Sequence, residues 1–179
     1  DLALSIIDTF EFQRLHYIKQ TGLAYKVFPT ATSSRFEHSL GVYHVTKSII
    51  NHVELELPCD DKMSSRQKEL TAIIGLLHDI GHGPFSHMFD DFLEEHDNNS
   101  IPRKHEERSC LLFRQMVKKY NLDFSDQEVD WITQRILCPP NDHWYDTLVS
   151  NPYSSFDTDK IDYLIRDCKH FGITLNFDW

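Results

Sequence analysis

The sequence predicts an all-α domain, and three observations carry that expectation. Apolar residues recur at helical spacing along most of the chain. Three Ser-x-x-Glu/Gln capping boxes mark helix starts. Glycine and proline are scarce, at 6 and 7 of 179 residues, which leaves long uninterrupted segments. At most one short β-hairpin is expected beside the helices.

In chain order, Asp8 and Thr9 precede a helix from Phe10 to Gln20, with Thr21-Gly22 at its end. Ala24 to Phe28, closed by Pro29, is the one strand candidate, and Thr30 to Ser34 is a polar turn. Ser34 with Glu37 opens a long helix to about Leu57, with Phe36, Leu40, Tyr43, Ile50, Val53 and Leu57 on one broad face. Arg35 and His38 sit in its first turn. A cation there opposes the helix dipole by roughly a few tenths of a kcal/mol, so Arg35 is expected to have an anionic partner.

After a charged linker from Cys59 to Ser65, Ser64 with Gln67 opens a helix through Leu70, Ile73, Ile74 and Leu77. His78 follows Ile74 by four residues and so points to the same interior, with Asp79 beside it. Gly81 and Gly83 break the segment, and a further helix is expected from Pro84 to about Glu95, with Phe85, Phe89, Phe92 and Leu93 apolar. Asp97 to Arg103 reads as a polar loop, the best place in the chain for insertion or mobility. Lys104 to Tyr120 is helical, with His105 and Glu106 in its first turn. Ser125 with Glu128 opens a helix through Val129, Ile132 and Ile136, ended by Cys138-Pro139-Pro140. Asp157-Thr158 starts the last helix, to about His170. It places Asp159, Tyr163, Arg166, Asp167 and His170 on one face and Ile161, Leu164, Ile165 and Cys168 on the other. A polar stripe of that kind differs from the Glu-Lys pairs of a solvated face, and it reads as the wall of a cleft.

The formal net charge is −10, which makes the surface as a whole a poor binder of nucleic acid or membrane. An anion would need a local positive pocket. The four cysteines are widely spaced with no C-x-x-C pair, as suits reduced thiols of an intracellular protein of nucleus or cytoplasm. Apolar runs stay far below the ~20 residues of a membrane span, and no signal peptide is read at the start. The first residue is Asp1 rather than Met, so residues 1–179 are taken as one domain truncated at both ends.

A buried carboxylate beside a buried imidazole is costly without a counter-charge, and a divalent cation would serve the His78-Asp79 pair. His38 and Asp159 complete an H…HD…D pattern of two imidazoles and two carboxylates from three helices. Such a set suits Fe, Mn, Zn or Mg, with positions left open for water or a phosphate oxygen.

The words around these residues are more specific than the spacing. Phe12-Gln13-Arg14-Leu15, Tyr17-Ile18-Lys19-Gln20, Arg35 through Gly41, Leu77 through Asp90, and Asp159 through Cys168 together resemble the HD-domain deoxynucleoside triphosphate triphosphohydrolases, most closely the animal members that join a SAM and an HD domain. The resemblance runs from about Asp8 to Asp178. It implies an all-helical HD-domain fold and hydrolysis of a dNTP to a deoxynucleoside and inorganic triphosphate. It further implies His38, His78, Asp79 and Asp159 as ligands of Fe, Mn or Zn, with Mg bridging substrate phosphates. By the same matching, Arg35, Lys160 and Tyr163 contact phosphate, and His82 and His105 lie near the α-phosphate. His87 with Asp90 would serve the leaving 5′ oxygen, and Gln20 and Asp167 the sugar side of the cleft. Asp8, Gln13 and His16 occupy the places of a regulatory GTP or dNTP site, with a homo-oligomer as the assembly. Two positions depart from the family: Thr21 stands where a Leu excludes the ribose 2′-hydroxyl, and His16 where an Arg clasps guanine. The alternatives are another HD-domain nucleotide phosphohydrolase or phosphodiesterase, or a non-catalytic nucleotide-binding or scaffold fragment.

Overall fold

The computed structural model describes residues 1–96 and 101–176. Eight α-helices follow one another among them: α1 Leu2–Ile7, α2 Phe10–Gln13, α3 Arg35–Glu56, α4 Ser65–Leu77, α5 His87–Glu95, α6 His105–Tyr120, α7 Asp126–Leu137 and α8 Thr158–Phe171. The all-α expectation holds. The described residues contain no β-strand, only an isolated antiparallel bridge between Lys19 and Ser34. No described helix is long and apolar enough to cross a membrane. The first four positions of the expected polar loop, residues 97–100, lie outside the described residues.

The three capping boxes form in both halves. Ser34, Ser64 and Ser125 each accept from the backbone N–H three residues on, while Glu37, Gln67 and Glu128 reach back to the cap's own N–H. Helix starts of this kind are settled by four consecutive residues, which is why they are legible without the fold.

Where tertiary contacts decide, the chain departs from expectation. The Phe10–Gln20 helix is a single α turn that tightens to a 3₁₀ turn over Arg14–Tyr17 and stops before Ile18, whose extended backbone carries the chain to the Ser34 bridge. The strand candidate at Ala24–Phe28 is a 3₁₀ turn over Ala24–Lys26, since it has no second strand to pair with. The Pro84 helix begins only at His87, because Phe85 and Ser86 both adopt positive φ, at 64° and 58°. Of its expected apolar face only Leu93 is buried, with Phe85 and Phe92 about half exposed. On α8, Ile161 is buried but Leu164 is exposed.

Helix α3 is the axis of the molecule. It packs along α4 and α8 and against the Arg14–Tyr17 turn. Its most buried stripe is Arg35, His38, Ser39, Val42, Val45, Thr46 and Ile50, rotated from the expected apolar face, whose Phe36, Leu40 and Tyr43 flank the core half-buried. Two glycines permit the close packing. A Cβ at Gly75 would stand 3.0 Å from the Tyr43 backbone nitrogen, and one at Gly41 would overlap the Asp162 carboxylate. The main core joins Ile6, Phe12 and Leu15 to the inner faces of α4, α6 and α7, through Ile73, Leu76, Leu77, Phe113, Met116 and Ile132. The polar stripe of α3 is thus sandwiched between an apolar core and α8.

Candidate metal centre and substrate cleft

Two of the four expected ligands come from α3 and α8, and the other two from the residues that follow α4. His38 is fully buried, and its Nε2 lies 2.9 Å from Asp159 Oδ1 and 3.3 Å from Asp79 Oδ2. His78 Nε2 lies 3.5 and 3.6 Å from the same two oxygens. The ligand atoms of His38, His78 and Asp79 are all within 4.8 Å of one another. Each imidazole is turned by its other nitrogen. His38 Nδ1 donates to Asp162 Oδ2 at 2.8 Å, and His78 Nδ1 to the Gly75 carbonyl at 2.9 Å. Both Nε2 lone pairs therefore face the carboxylates, the arrangement by which outer partners orient metal-binding histidines.

The electrostatics agree with a cation at this point. Burial by itself would lower the proton affinity of His38, but Asp159, Asp162 and Asp79 outweigh it and raise it well above the ordinary imidazole range. His78 is raised in the same way, against burial, by Asp79 and Asp159. The field that draws a proton to these nitrogens favours a metal ion, which would compete for the same lone pairs. Burial raises the carboxyls of Asp79 and Asp159. Arg35, His78 and His82 more than reverse this at Asp79, and His38 and His78 at Asp159, leaving both held ionised. His38 Nε2 and His78 Nε2 are buried and, although close to Asp79 and Asp159, make no hydrogen bond of normal geometry among the described residues. The donor set, two imidazoles and two carboxylates, fits a divalent transition metal.

Beside this centre lies a cleft of about 430 Å³, lined by Gln20, Thr21, Arg35, His78, Asp79, His87, His105, Asp159, Tyr163 and Asp167, and also by Glu106, Arg135, Ile136 and Ser150. Gln20 Oε1, Thr21 Oγ1 and Asp167 Oδ1 are buried here without partners among the described residues. Arg35 has its expected anionic partner, pairing with Asp79 through one nitrogen while Nε donates to Ser86 Oγ at 3.0 Å. Lys160 stands beside Asp159 in the first turn of α8, half-buried and outside the cleft wall.

The remaining histidines form a second cluster with Asp90. His82 is fully buried, stacks on His105 at 3.9 Å, and has its pKa pushed down to about 4 by burial. His105 Nδ1 donates to Asp90 Oδ2 at 2.8 Å, and Arg108 grips the other carboxylate oxygen. His87 is looser, two-thirds exposed with Nδ1 3.8 Å from Asp90, beyond a hydrogen bond. Burial, Arg35 and His105 lower its pKa. Asp90 is thus engaged chiefly by His105 and Arg108.

Asp162, Ser86 and Arg108 are absent from the sequence-based site. Asp162 could have been found at i+3 from Asp159, but its i+4 spacing to Arg166 disguises it as a surface ion pair. The two residues do pair, while Asp162 also holds His38. Asp8, Gln13 and His16 lie apart from the cleft wall. Asp8 caps α1, Gln13 Nε2 donates to the Ile7 carbonyl at 2.8 Å, and His16 stacks on Phe36 at 3.6 Å.

The protein groups of the cleft do not by themselves make the expected positive pocket. Two arginines in the cleft wall, Arg35 and Arg135, face four carboxylates, Asp79, Glu106, Asp159 and Asp167. Arg135 is also neutralised by Asp146.

The fold and the paired His-Asp centre define a helical domain with imidazoles and carboxylates that could hold a cation beside a polar cleft. The chain belongs to the HD domain family, which matches residues 35–142. It is 41% identical over 191 residues to the HD domain-containing protein L394 of Acanthamoeba polyphaga mimivirus, covering 99% of this chain and 41% of that one. It is 38% identical to the deoxynucleoside triphosphate triphosphohydrolase SAMHD1 of Mus musculus and 36% identical to that of Homo sapiens, over 99% of this chain and 30% and 32% of theirs. The SAMHD1 homolog of Dictyostelium discoideum is 35% identical over 96% of this chain. The chain spans about a third to two-fifths of the length of these relatives.

Proposed function

We propose that the chain is the catalytic core of an HD-domain hydrolase that cleaves a dNTP between the α-phosphorus and the 5′ oxygen, releasing a deoxynucleoside and inorganic triphosphate. The observation that carries this reading is the juxtaposition of two pre-oriented histidine Nε2 atoms and two ionised carboxylates with a cleft that His87 and His105 of a second histidine cluster also line. The relatives named as deoxynucleoside triphosphate triphosphohydrolases support it.

A divalent ion held by His38, His78, Asp79 and Asp159 would neutralise charge on the phosphate oxygens and acidify water. Arg35 supplies further positive charge at the phosphates. Tyr163 lines the wall with its pKa raised by burial, then by Asp159, so it stays a protonated donor. His82, with its pKa at about 4, is neutral at pH 7 and suited to orienting rather than donating protons. His87 is exposed at the cleft mouth, and an incoming polyanion would oppose the effect of Arg35 and raise its proton affinity. That change would ready His87 to protonate the leaving 5′ oxygen. His105 and Asp90 form the rigid wall against which His87 works. Thr21 brings its unpaired hydroxyl to the wall in place of a larger apolar side chain, and is assigned weaker rejection of a ribose 2′-hydroxyl.

Product analysis on the full-length protein with dGTP and GTP tests the reading. Inorganic triphosphate and deoxyguanosine are expected, and release of single phosphates would assign the chain to another phosphohydrolase class. In Thr21→Leu the dGTP/GTP ratio of kcat/KM should rise by ~5–30-fold. An unchanged ratio would remove Thr21 from sugar selection. Homo-oligomerisation, and GTP or dNTP binding around Asp8, Gln13 and His16, are proposed for the full-length protein. Sedimentation with and without GTP reads both.

A further inference from the structure

Ser86 occupies a backbone conformation that side chains rarely adopt, φ 58° and ψ −125°, directly after Phe85 at φ 64°. Only glycine takes this region without strain, and non-glycine residues persist there when their surroundings over-determine them. The surroundings here are specific. Ser86 is 2% exposed, its hydroxyl donates to the Lys19 carbonyl at 2.7 Å, and it accepts from Arg35 Nε at 3.0 Å. The hydroxyl therefore has its donor and one of its two acceptor lone pairs engaged, by the two segments that flank the cleft.

Arg35 shows what this accomplishes. Its guanidinium has three anchors: Ser86 Oγ at Nε, the Asp79 carboxylate at one Nη, and the Gln20 carbonyl at the other, at 3.3 Å. The Asp79 anchor is itself a candidate metal ligand, so it will be shared with any bound cation. The Gln20 anchor is long. Ser86 is the anchor that neither substrate nor metal competes for. The same hydroxyl fixes Lys19, one residue before Gln20, so the Gln20 anchor depends on it as well. The contact between the two loops is close, since a Cβ at Gly22 would stand 3.0 Å from the Phe85 carbonyl oxygen.

We infer that Ser86 is a positioning residue whose strained backbone aims its hydroxyl to fix the plane of the Arg35 guanidinium beside the metal centre. The inference rests on the proposed phosphate-binding role of Arg35, and it adds a residue which that reading does not include. A serine present only for its backbone conformation would be replaceable by glycine, which takes this region without strain.

The test uses Ser86→Ala, which keeps the strain and loses the hydroxyl, and Ser86→Gly, which loses both, in the full-length protein. Hydrogen exchange at the Arg35 Nε–H, followed by NMR on arginine-labelled protein, is the readout that needs no turnover. Both variants should exchange this proton at least about tenfold faster than wild type, and both should lose about 10- to 100-fold in kcat with KM little changed, as for a displaced charged group. Metal content should be unchanged in both. If Ser86→Gly retains wild-type exchange and kcat, the hydroxyl does not position Arg35 and the inference falls. If wild type turns over no dNTP, the proposed function fails instead, and the exchange rates still decide the role of Ser86. Should Ser86→Ala fold poorly, Ser86→Gly, free of strain, carries the comparison alone.

Discussion

At the scale of single residues, the candidate centre depends on which nitrogen of each histidine is left free. Asp162 and the Gly75 carbonyl occupy the Nδ1 atoms of His38 and His78, so the Nε2 atoms converge on Asp79 and Asp159. Asp79→Asn removes one charged ligand and one partner of Arg35 while leaving the apolar face of α4 untouched. The full-length variant should retain less than about a tenth of the wild-type metal content, as loss of a charged ligand implies, with circular dichroism unchanged. Metal at the wild-type level in a folded variant would overturn the ligand assignment. The four candidate ligands were legible as a set because residue type and motif spell them out. Asp162, Ser86 and Arg108 were not, because their roles arise from contacts across 124, 51 and 18 residues that no local pattern announces.

At the scale of elements, the capping boxes at Ser34, Ser64 and Ser125 were readable, since both partners of each lie within one turn. The third has a tertiary extension. Glu128 caps α7 and also pairs with Arg66 of α4 at 2.6 Å, tying two helices together. The Arg66 bond, with help from Ser125 and against burial, holds the Glu128 carboxyl at about 2. An unfolded Glu titrates near ~4.3. The folded value is depressed, so the stabilisation is fully present above about pH 4.3 and is lost as pH falls from there toward 2. Glu128→Gln should cost about 1 kcal/mol at pH 7, the pair being partly exposed. Urea midpoints should converge with wild type as pH drops from 5 toward 3. A gap that stays constant over that range would mean the charge contributes nothing. The turns that escaped the sequence, at 14–17, 24–26 and 84–86, are short segments held by neighbours rather than by their own periodicity.

At the scale of the whole molecule, a domain of net charge −10 is proposed to bind a polyanion, and the protein part of the cleft does not resolve that conflict. The wall carries four carboxylates against two arginines, one of them already paired with Asp146, and against the His78 imidazole, whose proton affinity is raised against burial by Asp79 and Asp159. The sequence suggested a positive pocket because a bound metal, Arg35 and Lys160 were expected there together. The folded chain couples Arg35 to Asp79 and leaves Lys160 outside the wall. Repulsion between unit charges about 4 Å apart at a partly solvated site is on the order of several kcal/mol, enough to dominate affinity. On the proposed function, the cation is expected to be needed for binding itself and not only for turnover. Full-length protein stripped of metal by a chelator and then dialysed should bind dGTP at least ~10²-fold more weakly by calorimetry, about 2.7 kcal/mol. Restoring Mn²⁺ should recover the affinity, while raising NaCl to screen the carboxylates should recover only part of it. If the stripped protein binds dGTP as tightly as the metal-loaded form, the protein's own cations suffice and the charge argument fails.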